Sequence, residues 1–179
     1  MYIPVILGTA REGRQSEKAA NYVLAQVKQA GIESELVDVR AYRIPATNKL
    51  GLIPEAINWA AKLDRAAGLI LVVPEYNHAY PGELKMFLDL HYEKYFNKPV
   101  ALCGVSGGPL GGARGLQALK LTLLSLKMLV VLETVYFPLV QELFAGDGQI
   151  KDRSYDKKVA GLLKGLTALI ELTGQGKKA

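Results

Sequence analysis

An open, doubly wound α/β sheet is the fold class that this 179-residue sequence predicts. Three observations carry that expectation. Short β-branched runs alternate with amphipathic helical windows along the chain, as repeated βα units require. Residues 69–73 (LILVV) are apolar throughout, the mark of a parallel strand covered on both faces. Glycine-rich or aromatic turns follow the first, third and fourth runs, at the carboxyl ends of strands where the ligand crevice of such a sheet opens.

The elements follow in order. Residues 2–8 (YIPVILG) read as the first strand. Over 16–30, Ala19, Ala20, Val23, Leu24 and Val27 recur at helical spacing, with Ser16 as the expected N-cap. Residues 33–39 (ESELVDV) alternate like an edge strand, and 53–66 read as a helix with Pro54 in its first turn. After the strand at 69–73 come a helix over 81–93, a strand over 99–105, a helix over 112–127 and a strand over 129–135. The final helix, 153–173, carries Val159, Leu162, Leu163, Leu166, Leu169 and Ile170 on one stripe. Segments 40–52 and 136–152 read as surface loops, the tail GQGKKA as frayed, and Cys103 and Trp59 as core. No repeat, low-complexity run or linker divides the chain, so a single domain over 1–179 is expected. The arrangement is a three-layer α/β/α sandwich on a five-stranded parallel sheet in the flavodoxin-like order 2-1-3-4-5.

Composition narrows function by exclusion. Half the residues are apolar, which disfavours disordered and collagen-like classes. One cysteine and two histidines leave no structural zinc site of the Cys/His type, and no metal site is expected. The lone Cys103, with an N-terminus that begins directly as a strand, leads to the expectation of a cytoplasmic protein. The most apolar stretch, 119–135, is broken by Lys120, Lys127 and Glu133, so no membrane span is expected. Net charge +5 and a pI near 9.2 suggest an anionic ligand. Its basic residues form no dense run beside aromatic residues, and nucleic acid is not expected as a partner.

Three loops converge on the crevice. The first, Gly8 to Ser16, joins helix N-terminal amides to the hydroxyls of Thr9 and Ser16 and the guanidinium groups of Arg11 and Arg14, which suits a phosphate. It matches neither G-x-x-x-x-G-K-[ST] nor G-x-G-x-x-G. The second, Pro74-Glu75-Tyr76-Asn77-His78-Ala79-Tyr80-Pro81-Gly82, offers aromatic surface and turn amides to a flat ring with polar edges. The third, Gly104 to Gly112 with Arg114 just beyond, lets backbone approach a ligand closely. It also contains G-x-S-x-G around Ser106. Yet His78 and His91 both precede Ser106, against the chain order of the α/β-hydrolase triad, and the hydrolase reading is set aside.

Together the three loops resemble the NADPH-dependent FMN reductase family, flavodoxin-like flavoproteins that include quinone, azo-dye and chromate reductases. The family pattern appears here as Gly8-Thr9-Ala10-Arg11 with Ser16, as Pro74-Glu75-Tyr76-Asn77 with Pro81-Gly82-Glu83-Leu84-Lys85, and as the loop Gly104 to Gly112; the similarity covers roughly residues 1–135. The resemblance implies that Thr9, Arg11 and Ser16 hold the FMN phosphate with Gln15 nearby. Pro74, Glu75, Tyr76 and Asn77 would border the isoalloxazine ring, backbone amides around Asn77 and His78 would meet its polar edge, and Ser106 and Gly107 would line its other side. It further implies an oxidoreductase that takes hydride from NADPH or NADH and passes electrons to a small-molecule acceptor by ping-pong, with no catalytic side chain required because the cofactor carries the chemistry. A homodimer or homotetramer is implied, with the flavin near the boundary and Tyr80, His91 and Tyr92 as boundary candidates. An FMN-binding electron carrier or redox sensor is the alternative. Three features depart from the pattern: Thr9 stands for the usual Ser, Gly13-Arg14-Gln15 lengthens the first loop, and the helix after Pro81-Gly82 is expected to run on into an aromatic segment.

Overall fold

The computed structural model describes residues 1–44 and 53–175. Five parallel strands, β1 (Val5–Leu7), β2 (Leu36–Asp38), β3 (Leu69–Pro74), β4 (Pro99–Val105) and β5 (Leu129–Phe137), lie in the order β2-β1-β3-β4-β5. This is the expected flavodoxin-like order, with β2 and β5 at the edges. The central strands β3 and β4 are buried at every residue, which explains why their sequences lack alternation. Strand β1 is shorter than the run 2–8 suggests. Pro4 cannot donate to a ladder, and Tyr2 joins only through isolated bridges to Glu33 and Ala66.

Helices cover both faces. On one, α1 (Ser16–Gln29) turns Ala19, Ala20, Val23 and Val27 inward, alongside Val159, Leu162, Leu166 and Ile170 of α6 (Ser154–Thr173). On the other, α2 (Pro54–Arg65), α3 (Gly82–Leu88) and α4 (Ala113–Ser125) bury Trp59, Leu63, Leu84, Phe87, Leu116 and Leu119. Cys103 is buried in β4, where desolvation pushes its thiol up to about 12. It is core, as expected, and so is Trp59.

Three expectations are corrected. The helix read over 81–93 ends at Leu88, and a 3₁₀ turn occupies Glu93–Tyr95. The chain bends there to bury Tyr95, whose hydroxyl accepts a 2.7 Å hydrogen bond from the indole of Trp59; that buried pairing competes with helix propagation. Segment 136–152 is not wholly irregular. Strand β5 runs on to Phe137, and α5 (Val140–Leu143) follows Leu139, which lies in the left-handed region at φ 45°. Ser16 is not the N-cap of α1; Gln15 holds that position, with no side-chain cap. The rest of the expected 40–52 loop beyond Ile44, and the tail beyond Gln175, lie outside the described residues.

Candidate functional site

Strand β1 delivers the first loop to the N-terminus of α1, where the Lys18 amide donates to the Gln15 carbonyl at 3.2 Å, the Ser16 and Glu17 amides have no acceptor among the described residues, and there is no side-chain cap. Ser16, the first helical residue, is buried at 2% exposure, and its hydroxyl is the buried side-chain polar atom without a partner among the described residues. A buried orphan of this kind costs about 1–3 kcal/mol. A phosphate oxygen would relieve it while meeting the helix dipole.

Around Ser16 the loop is held by its own side chains. Thr9 is fully buried; its Oγ1 accepts the Arg11 amide at 3.2 Å and lies 3.3 Å from the Tyr76 hydroxyl. Thr9 therefore joins the first loop to the second from beneath. The Arg11 guanidinium lies 5.3 Å from the centre of the Tyr76 ring, a cation–π contact at the cleft surface. Gln15 is half-buried, with its amide on the Gly13 carbonyl.

Arg14 does something different from the phosphate contact its type suggests. Its side chain is 1% exposed and forks onto both carboxylate oxygens of Asp38 at the end of β2. Arg14 also donates to the Thr9 carbonyl at 2.5 Å and reaches Glu17. Burial works against its charge, and the two carboxylates more than offset this, holding the guanidinium protonated. For Asp38 burial pulls upward, but hydrogen bonds from Arg14 and from the Arg40 amide outweigh it and keep the carboxyl below its ordinary value. Arg14 is thus an internal strut that ties the loop to β2. Arg40 is similarly engaged, donating to the Ala10 and Arg11 carbonyls.

The second loop is a two-residue hairpin. Tyr76 and Ala79 exchange backbone hydrogen bonds of 2.9 and 3.0 Å, while Asn77 and His78 both have positive φ, 50° and 65°. Two successive left-handed residues define a type I′ geometry. Both are exposed, and among the described residues neither of their amides donates within the chain. Glu75 turns away from a purely ring-bordering role: its Oε2 accepts the amides of Arg114 and Gly115 at 3.0 and 3.1 Å, capping α4 across the cleft.

The third loop packs back onto β4. Ser106 donates to the Gly108 carbonyl at 2.9 Å, and its own carbonyl accepts the amide of Val140. No imidazole is bonded to it: His78 pairs with Arg114, and His91 donates from Nε2 to the Ala56 carbonyl at 2.7 Å. The geometry thus offers no activated serine, in keeping with the sequence argument.

These loops enclose a cleft of about 410 Å³. Of the predicted residues, Arg11, Gln15, Ser16, Pro74, Glu75, Tyr76, Ser106 and Gly107 line it. Thr9 lies under it, and Asn77 and His78 stand on the adjoining hairpin. Val140 and Gln141 of α5 complete the wall and escape sequence reading. A four-residue helix is shorter than any window in which helical periodicity registers. A second cleft of about 370 Å³ shares Glu75, Ser106 and Gly107 with the first and adds Gly108, Pro109, Leu110 and Arg114. Among the described residues no cluster of His, Cys, Asp or Glu is disposed to hold a metal, and no helix is long and apolar enough to cross a membrane.

A parallel sheet of this order, with an uncapped helix N-terminus and a hairpin meeting at its crevice, is the flavodoxin-like arrangement. The chain belongs to the NADPH-dependent FMN reductase family, whose model matches residues 1–142. It is 35% identical over 127 residues to an NADPH azoreductase of Bacillus sp. strain OY1-2, covering 69% of this chain and 68% of that one. It is 27% identical over 139 residues to a quinone reductase of Escherichia coli K12, covering 73% of each. Among solved structures, FerB, a flavoenzyme NAD(P)H:(acceptor) oxidoreductase from Paracoccus denitrificans, superposes with a TM-score of 0.81 at 22% identity, over 96% of this chain and 98% of that chain. FMN and NADPH, which the resemblance of the three loops to this family implies, are the cofactors that the family's description names.

Proposed function

We propose that this chain is an FMN-dependent NAD(P)H oxidoreductase that reduces small acceptors such as quinones, flavins, azo compounds or metal oxyanions by a ping-pong route. The observation that carries this reading is the buried orphan hydroxyl of Ser16 at the uncapped start of α1, in a residue that lines the cleft together with Tyr76 and Ser106. The residues present fit the cofactor. Ser16, Arg11 and the first amides of α1 would hold its phosphate; Pro74, Tyr76, Ser106 and Gly107 would border its ring; the free amides of Asn77 and His78 would donate to the ring's polar edge. FMN, when bound, supplies the hydride- and electron-accepting ring. The chain's own work is to orient that ring on a preformed frame, to aim backbone donors where negative charge accumulates, and to keep one face open to two substrates in turn.

Replacing Ser16 by Ala checks the phosphate assignment. A hydrogen bond to a charged group is worth about 1.5–3 kcal/mol, so FMN should bind roughly ten- to a hundredfold more weakly. Riboflavin, which lacks the phosphate, should bind as to the parent chain. Equal losses for both, or none, would refute the assignment. The redox reading is tested by anaerobic titration of the FMN-loaded protein with NADPH and NADH. Bleaching of the flavin bands is expected, and a yellow protein that neither coenzyme bleaches would leave the electron carrier in its place.

A homodimer or homotetramer fits this reading, and light scattering of the purified chain decides it. The boundary candidates differ in availability. Tyr80 bonds Thr122 and His91 bonds Ala56, whereas Tyr92 is 52% exposed. With its only thiol buried in β4 the chain needs no oxidising compartment, and a cytoplasmic setting is the one we favour.

A further inference from the structure

We infer that Arg114, aimed by His78, is the side chain that recognises the phosphate groups of the incoming nicotinamide coenzyme in the second cleft. This rests on the flavin reading above and assigns that site its specificity residue.

Several arginines lie around the crevice, and the structure sorts them. Arg14 is buried and bonded to Asp38, Glu17 and the Thr9 carbonyl. Arg40 is spent on two backbone carbonyls of the first loop. Arg11 lies over Tyr76 in the first cleft, beside Ser16. Arg114 alone of these four lines the second cleft, and it forms no ion pair among the described residues.

Its setting is built from both ends. The backbone amide of Arg114 is pinned by the Glu75 carboxylate, so the side chain springs from a fixed point on the first turn of α4. At the far end, the NH1 group lies 3.1 Å from His78 Nε2. A guanidinium can only donate, so in this contact the His78 Nε2 is the acceptor. An imidazole acceptor orients the guanidinium without supplying a negative charge to cancel it. Arg114 therefore faces the cleft as a positioned cation whose guanidinium forms no ion pair among the described residues, while Glu75, the other charged residue of that lining, is engaged by the α4 amides; a phosphate would exchange the imidazole acceptor for a bidentate, charge-assisted pair. Pro109 and Leu110, the latter 48% exposed, give the same cleft apolar surface for a flat ring. The two clefts share Glu75, Ser106 and Gly107, so a ligand held by Arg114 lies next to the proposed ring site.

The test is calorimetric binding of NADP⁺ and NAD⁺ to the FMN-loaded full chain, with FMN affinity measured alongside. Arg114→Gln should weaken NADP⁺ binding at least about tenfold and leave FMN affinity within about twofold. Arg65→Gln, which removes the same charge from the end of α2, should change neither and so exposes any general field effect. A loss for NADP⁺ alone assigns Arg114 to the 2′-phosphate; equal loss for NAD⁺ assigns it to the pyrophosphate. His78→Phe, which keeps a ring but removes the acceptor, should give a smaller loss in the same direction. NADP⁺ affinity unchanged in Arg114→Gln, or lowered equally in Arg65→Gln, overturns the inference while the flavin reading stands. Failure of the parent chain to bind FMN overturns both.

Discussion

Arg14→Leu should destabilise the protein by about 1–3 kcal/mol, since it strands the buried Thr9 carbonyl and the Asp38 carboxylate, which is itself 30% exposed. The substitution leaves the Asp38 carboxylate at the end of β2 without its fork and the Thr9 carbonyl without its donor. Urea titration at neutral pH measures the loss; a change within about 0.5 kcal/mol would show that the strut carries no stability. The pH dependence is diagnostic. In the parent chain the folded-state pKa of Asp38 is depressed. Its stabilisation is thus complete above the unfolded value of about 3.9 and is lost as pH falls through the lower folded value. Arg14→Leu should remove that component, so the difference between parent and variant narrows as the solution is made more acid. FMN affinity should fall with it, because the loop that carries Ser16 loses its tie to β2.

Gly112→Ala should be similarly severe for a different reason. Gly112 precedes α4 at φ 87°, and a Cβ there would sit 2.7 Å from the Val105 amide nitrogen and 3.0 Å from its carbonyl oxygen. Both contacts are with the backbone of a central strand, which cannot swing aside. The left-handed conformation costs about 1–2 kcal/mol for an L-residue, and overpacking adds about 1–3 kcal/mol. A fall in thermal midpoint of many degrees and loss of flavin retention are expected. Gly108→Ala is the control. Its Cβ would meet only the Ser106 hydroxyl, at 4.0 Å, and it should melt within a degree or two of the parent. A comparable loss at both positions would show that the loop tolerates no side chain anywhere and would remove the backbone argument.

The contrast between these two glycines shows where sequence reading stops. That the Gly104 to Gly112 loop approaches something closely was legible from its composition. That its partner at Gly112 is β4 itself, rather than a ligand, depends on how the loop folds back. The same holds for charge. Arg11 and Arg14 are equivalent on paper, three residues apart in one basic loop, yet one lies on the cleft and the other is buried against Asp38, brought there by pairing of β1 with β2. Central strands and long helices were legible because every residue of LILVV, or each turn of α6, repeats the same signal. The end of α3 was not, since Leu88 is followed by residues with no breaker; the turn is set by burial of Tyr95 against Trp59. The wall supplied by α5 left no periodic trace at all.

The hairpin at Asn77 and His78 has a consequence for how this site could diversify. Its outward donors belong to the backbone and follow from turn geometry, so they persist through any substitution that keeps two left-handed residues in succession. The side chains at the same positions are released from that duty, and at position 78 the side chain instead touches Arg114. Retention of a bound ring and choice of the next reactant are therefore written on one short turn in two separate alphabets, and the second can be rewritten while the first is left intact.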